Sequence, residues 1–137
     1  MNENHETRKD DLGVALVVDD DQLVIDLLAR TLAGIVGRVV TATNSVEAHA
    51  RMTSCERIDV VVGDFTLETR GDGLAVLSEA RERHPDSARI LMSGYVPAST
   101  VQRALADGLA HEFVPKPFGP DRFESIVRSC SSRRATT

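Results

Sequence analysis

Asp19 and Asp20 close the apolar run Val14-Ala15-Leu16-Val17-Val18, and Asp64 closes Ile58-Asp59-Val60-Val61-Val62-Gly63. Carboxylates at the ends of such runs converge if the runs are parallel strands of one open α/β sheet, whose carboxyl ends form the ligand crevice. Three converging anions repel one another and would take up protons unless a cation neutralises them. An all-oxygen, carboxylate-rich set with room for water suits Mg²⁺, which commonly bridges a carboxylate to a phosphate. Ser93 follows Ile90-Leu91-Met92 and Lys116 follows Phe113-Val114-Pro115, so a hydroxyl and an ammonium end two further runs. One carboxylate nucleophile, two metal-holding acids, a hydroxyl and an ammonium can together move a phosphoryl group onto a carboxylate, once its oxygens are neutralised.

Positioning these residues requires alternating elements, and the pattern supplies them. Apolar β-branched runs alternate with segments of helical period five times, the signature of βα units and a parallel sheet. The expected strands are 14–18, 38–42, 58–63, 89–92 and 112–115. Leu23, Leu27, Leu28, Leu32 and Ile35 recur at helical spacing between the first two, which predicts one face packed on the sheet and ended by Gly34 and Gly37. Asn44-Ser45-Val46-Glu47 has the form of a capping box for a second helix. Leu74, Leu77 and Ala80 mark a third helix, and Val101, Ala104 and Leu105 a fourth between Pro97 and Gly108. Phe123, Ile126 and Val127 mark a fifth, opened by Gly119-Pro120.

The chain of 137 residues fits one domain with an ordinary core, at 42% hydrophobic and 27% charged residues. A formal net charge of -5 argues against binding to a phosphate backbone, so no direct nucleic-acid role is expected. No run reaches the length of a membrane span and Met1 to Asp11 is unlike a signal, which predicts a cytoplasmic protein without membrane contact. Cys55 and Cys130 form no CxxC pair and read as ordinary thiols of a reducing compartment. His5, His49, His84 and His111 lack ligand spacing and read as surface residues. Asp21 reads as a helix cap. Residues 1–12 and 131–137 lack apolar period, which predicts a mobile N-terminal tail, a folded unit over 13–130, and a C-terminal tail or the start of a linker.

Across about Gly13 to Cys130 the sequence resembles the receiver domains of two-component response regulators, of the chemotaxis-regulator type. The resemblance rests on Val17-Val18-Asp19-Asp20, the lone Asp64, Ser93-Gly94, and Lys116-Pro117-Phe118, in that order on successive strand ends. It implies a flavodoxin-like, doubly wound (βα)5 fold with a five-stranded parallel sheet in the order 2-1-3-4-5. Carried over by position, it makes Asp64 the phosphoacceptor, with Asp19 and Asp20 binding Mg²⁺ beside Asp64 and the backbone carbonyl of Thr66. Ser93 takes the family's switch-hydroxyl position and Lys116 that of its ammonium partner. Phe113 takes the position of the aromatic that turns inward when the hydroxyl moves, and Lys116-Pro117 that of the family's cis bond. Tyr95 stands where the family tunes access of hydrolytic water. The chain departs from the family at Glu68, where Pro is usual, and Glu68 to Asp72 is about one residue longer than expected before Gly73.

The resemblance implies a signalling module that catalyses only its own phosphorylation and dephosphorylation. Its donor would be a sensor histidine kinase or a phosphotransfer protein, and its readout a protein partner, or a second copy, at the face of the fourth helix, fifth strand and fifth helix. Two other readings compete. In a haloacid-dehalogenase-like phosphohydrolase, Asp19 and Asp21 would be nucleophile and acid/base, which leaves Asp64 without a role. A receiver-like interaction module would keep the fold and never be phosphorylated.

Overall fold

The computed structural model describes residues 13–135, with side chains as far as 130. Strands β1 (Val14–Val18), β2 (Arg38–Ala42), β3 (Val60–Asp64), β4 (Ala88–Ser93) and β5 (Glu112–Pro115) alternate with five helices. These are α1 (Gln22–Ala33), α2 (Ser45–Ser54), α3 (Asp72–Arg83), α4 (Ala98–Ala106) and α5 (Pro120–Ala135). All strand pairs are parallel and the order is β2-β1-β3-β4-β5, the flavodoxin-like arrangement.

A sheet covered on both faces needs strands that are apolar on both sides, and the three central strands are buried almost throughout. Successive residues point to opposite faces, so Ala15 and Val17 join one core with Val60, Val62, Ile90 and Met92. That core is closed by Ile25, Leu28 and Leu32 of α1 and by Phe123 and Val127 of α5. Leu16, Val18, Val61 and Leu91 face the other way, against Ala48 and Met52 of α2, Val76, Leu77 and Ala80 of α3, and Ala104 of α4. Each fully buried Leu or Val stabilises the fold by about 1.5–3 kcal/mol relative to exposure.

Local chemistry sets the helix starts. The Asp21 side chain accepts the Leu23 amide and caps α1. Asn44 accepts the Glu47 amide at 2.8 Å, while Glu47 reaches back to the Thr43 amide and hydroxyl, at 2.7 and 2.8 Å.

Two expectations are corrected. Leu23 is 79% exposed, because the buried stripe of α1 runs through Ile25, Leu28 and Leu32, and Leu23 lies two residues off its phase. His84 is buried: its Nε2 lies 3.0 Å from the Met52 carbonyl and its Nδ1 accepts the Ile58 amide at 3.3 Å, tying the end of α3 to the α2–β3 connection. Helix α5 continues to Ala135, and Ser131 to Ala135 contains no helix breaker. The N-terminal segment 1–12 and His5 lie outside the described residues.

Candidate functional site

Register converts strand ends into a site. Val18 pairs with Gly63 across β1 and β3, so the next residues, Asp19 and Asp64, emerge side by side where the strand order reverses. Asp64 pairs with Met92, which sets Ser93 one step further along β4, and Ser93 pairs with Pro115, which sets Lys116 one step beyond β5. One carboxylate oxygen from each of Asp19, Asp20 and Asp64 lies within 4.8 Å of the other two. Lys116 Nζ donates to Asp19 Oδ2 at 2.8 Å and stands 3.3 Å from Asp64 Oδ2. The Asp21 amide donates to Asp19 Oδ1 at 2.9 Å, so both oxygens of the fully buried Asp19 are engaged.

Three acids paired with a single ammonium leave the cluster short of positive charge. Burial, reinforced by the neighbouring Asp19 charge and only partly opposed by Lys116, pushes Asp64 up to about 6. Burial also raises Asp19, against the hydrogen bond from Lys116. Burial pulls Lys116 down, but its hydrogen bond and charge pairing with Asp19, and its pairing with Asp64, leave it raised. All three donors are hard carboxylate oxygens, which fit a small oxygen-seeking dication.

A cavity of about 480 Å³ opens onto Asp64, lined by Thr66, Arg70, Ser93, Gly94, Tyr95 and Lys116. Ser93 Oγ is occupied: it donates to the Tyr95 carbonyl at 2.7 Å and accepts the Tyr95 amide at 3.0 Å. The Lys116–Pro117 bond is cis. Phe113 is half-buried against the α2–α3–α4 side of the core. Asp21, exposed and bound to the Leu23 amide, stands outside the acidic cluster, so the phosphohydrolase arrangement lacks its acid/base.

The β3–α3 connection folds back on itself. Thr66 and Arg70 form an antiparallel bridge, and the amides of Gly71 and Gly73 both donate to the Phe65 carbonyl, at 3.1 and 3.0 Å. Asp72 accepts the Thr69 amide at 2.9 Å and the Thr69 hydroxyl at 2.6 Å, which holds its carboxyl below the usual range. Gly71 has φ of 94°, a left-handed turn residue before α3. Gly73 packs so tightly that a Cβ there would lie 1.9 Å from the Asp64 backbone oxygen. Neither the hairpin nor the place of Arg70 at the cavity is evident from periodicity; the longer Glu68–Asp72 segment is the only sequence trace of them.

The model of the response regulator receiver domain matches residues 15–128. The chain belongs to this family. The receiver is 32% identical over 120 residues to the DNA-binding transcriptional regulator NtrC of Salmonella typhimurium, across 88% of this chain and 25% of that protein. It thus spans about a quarter of that relative's length, and 47% of the transcriptional regulatory protein KdpE of Staphylococcus aureus, to which it is 32% identical across 82% of its own. The solved receiver domain of NtrX from Brucella abortus superposes with a TM-score of 0.75 at 31% identity, covering 86% of this chain and 98% of that one. Within the receiver family the acidic triad is typical of an Mg²⁺ site, and receivers partner with histidine kinases. Among the described residues no helix is long and apolar enough to cross a membrane.

Proposed function

We propose that this receiver accepts a phosphoryl group on an Asp64 carboxylate oxygen, from a sensor histidine kinase or a phosphotransfer protein, and changes its affinity for a protein partner. The reading is carried by the convergence of Asp19, Asp20 and Asp64 within 4.8 Å, with Lys116 bridging Asp19 and Asp64 at the cavity floor. Asp19, Asp20, Asp64 and the backbone carbonyl of Thr66 would hold Mg²⁺. When bound, the ion neutralises the carboxylates and the transferring oxygens.

Asp64 Oδ attacks phosphorus in line, an O–P bond forms, and the bond to the donor nitrogen breaks with its electron pair left on the imidazole. Lys116, released from Asp64 as that carboxylate becomes an acyl phosphate, pairs with a phosphoryl oxygen. Ser93 donates to another. The space it leaves admits Phe113, and that repacking biases the surface of α4, β5 and α5, where a partner or a second copy reads the state. Hydrolysis reverses the state: water attacks phosphorus, phosphate leaves, and the carboxylate is restored.

Acetyl phosphate with Mg²⁺ tests this directly. One phosphoryl mass should appear on the wild-type protein and none on Asp64→Asn. A wild-type chain that takes up no mass while binding Mg²⁺ would instead be an interaction module that keeps the fold without the chemistry.

A further inference from the structure

Arg70 is the second cation lining the cavity, and neither the acidic cluster nor the salt bridges to Lys116 use it. Its guanidinium lies over the Tyr95 ring, 5.7 Å from the centroid, joining the β3–α3 hairpin to the β4–α4 loop across the mouth. Among the described residues it forms no salt bridge. An exposed cation–π contact of this kind is worth only about 0.5–1 kcal/mol, so Arg70 is held and can be released.

Charge shows what would release it. With a dication bound, Asp19, Asp20, Asp64 and Lys116 together are formally neutral. Acyl phosphate formation removes the Asp64 charge and adds a dianionic phosphoryl group, which leaves one negative charge uncompensated. Arg70 supplies the matching positive charge at the same cavity, and its planar fork suits bidentate contact with phosphoryl oxygens. The trigger lies in Ser93. A hydroxyl has one proton, so Ser93 Oγ can donate to a phosphoryl oxygen only by giving up the Tyr95 carbonyl, which frees the loop that carries the ring.

We infer that Arg70 is a phosphoryl-binding residue kept in reserve on Tyr95, moving to the phosphoryl group on Asp64 when Ser93 lets go of the Tyr95 carbonyl. This rests on the reading of Asp64 as phosphoacceptor and adds the residue that recognises the product.

Beryllofluoride with excess Mg²⁺ is the probe, titrated calorimetrically into the wild type, Arg70→Gln, Arg70→Lys, Tyr95→Ala and Asp64→Asn. Both Arg70 and Tyr95 are exposed, so these variants leave the core untouched. Arg70→Gln should weaken beryllofluoride binding about fivefold to tenfold, the loss of one charge-assisted contact, and Arg70→Lys, which keeps the charge but not the fork, should recover only part of it. Tyr95→Ala removes only the resting partner, so its binding should equal or exceed that of the wild type. Tyr95 is the only tyrosine and the chain has no tryptophan, so tyrosine emission reports the ring itself. It should change on beryllofluoride addition in the wild type and much less in Arg70→Gln. Arg70→Gln binding within twofold of wild type, or Tyr95→Ala weakening as much as Arg70→Gln, overturns the role of Arg70 while Asp64 remains the acceptor. If the wild type binds no better than Asp64→Asn, the acceptor reading fails first and this inference with it.

Discussion

Ionising Asp64 in the metal-free protein places a full negative charge beside the buried Asp19 with only Lys116 to share between them. The neutral form is therefore the one the fold tolerates, and the carboxyl is raised from 3.8 to about 6. Between these values the folded state binds more protons than the unfolded chain, so stability falls as pH rises. The contribution is fully present below about 4 and gone above about 6. Asp19 shifts in the same direction and adds to the slope. Metal-free urea titrations from pH 4 to 7 should show this decline, and Asp64→Asn should be shallower and more stable at pH 7 by about 2–3 kcal/mol. An Asp64→Asn variant less stable than wild type at neutral pH would show that the charge is not strained. In the proposed phosphoacceptor role the same repulsion would keep the carboxylate available, since an acid already saturated with hydrogen bonds would be a poor nucleophile.

At the scale of elements, the approach of α3 to β3 sets where Asp64 can sit. A Cβ on Gly73 would meet the Asp64 oxygen at 1.9 Å, its carbonyl carbon at 2.6 Å and the Phe65 Cα at 2.8 Å, all of them backbone atoms that cannot swing aside. Gly73→Ala should cost roughly 2–4 kcal/mol, seen as a lower urea midpoint with an unchanged slope, and should slow labelling by acetyl phosphate. An unchanged midpoint would show that the hairpin yields. The Thr66–Arg70 hairpin was not legible in the sequence, because its bridge and the Thr69 hydrogen bonds to Asp72 are short polar contacts without apolar period. The strands, by contrast, announced themselves by β-branched runs, and the Asp21 and Asn44 caps by their side chains. Leu23 misled because hydrophobicity alone does not give phase: only the stripe through Ile25, Leu28 and Leu32 faces the sheet. His84 misled because spacing tests for metal ligands are blind to a histidine that bridges backbone groups in the core. The acidic site was legible because parallel register turns strand ends into neighbours, a rule that needs no knowledge of the loops.

For the whole molecule, the pocket exists only when the sheet does, since its oxygens come from residues 45 positions apart in the chain. The unfolded chain presents no such cluster, so Mg²⁺ held as proposed would bind the native state alone and pull the folding equilibrium toward it. At a hundredfold excess over its dissociation constant the ion should add about 2.7 kcal/mol, which for a domain of this size raises the melting temperature by roughly 10 °C. Differential scanning calorimetry at pH 7 with and without Mg²⁺ measures this, and chelation should reverse it. Asp20→Asn removes an exposed carboxylate of the cluster without disturbing the core, and it should lose most of the rise while its metal-free melting temperature stays the same or increases. At pH 4, below the raised carboxyl of Asp64, protons compete for the same oxygens and the rise should shrink sharply. Equal melting temperatures with and without Mg²⁺ at pH 7 would show that the carboxylates converge without forming a metal site, and Lys116 and Arg70 alone would then be too few positive charges for the phosphoryl chemistry proposed.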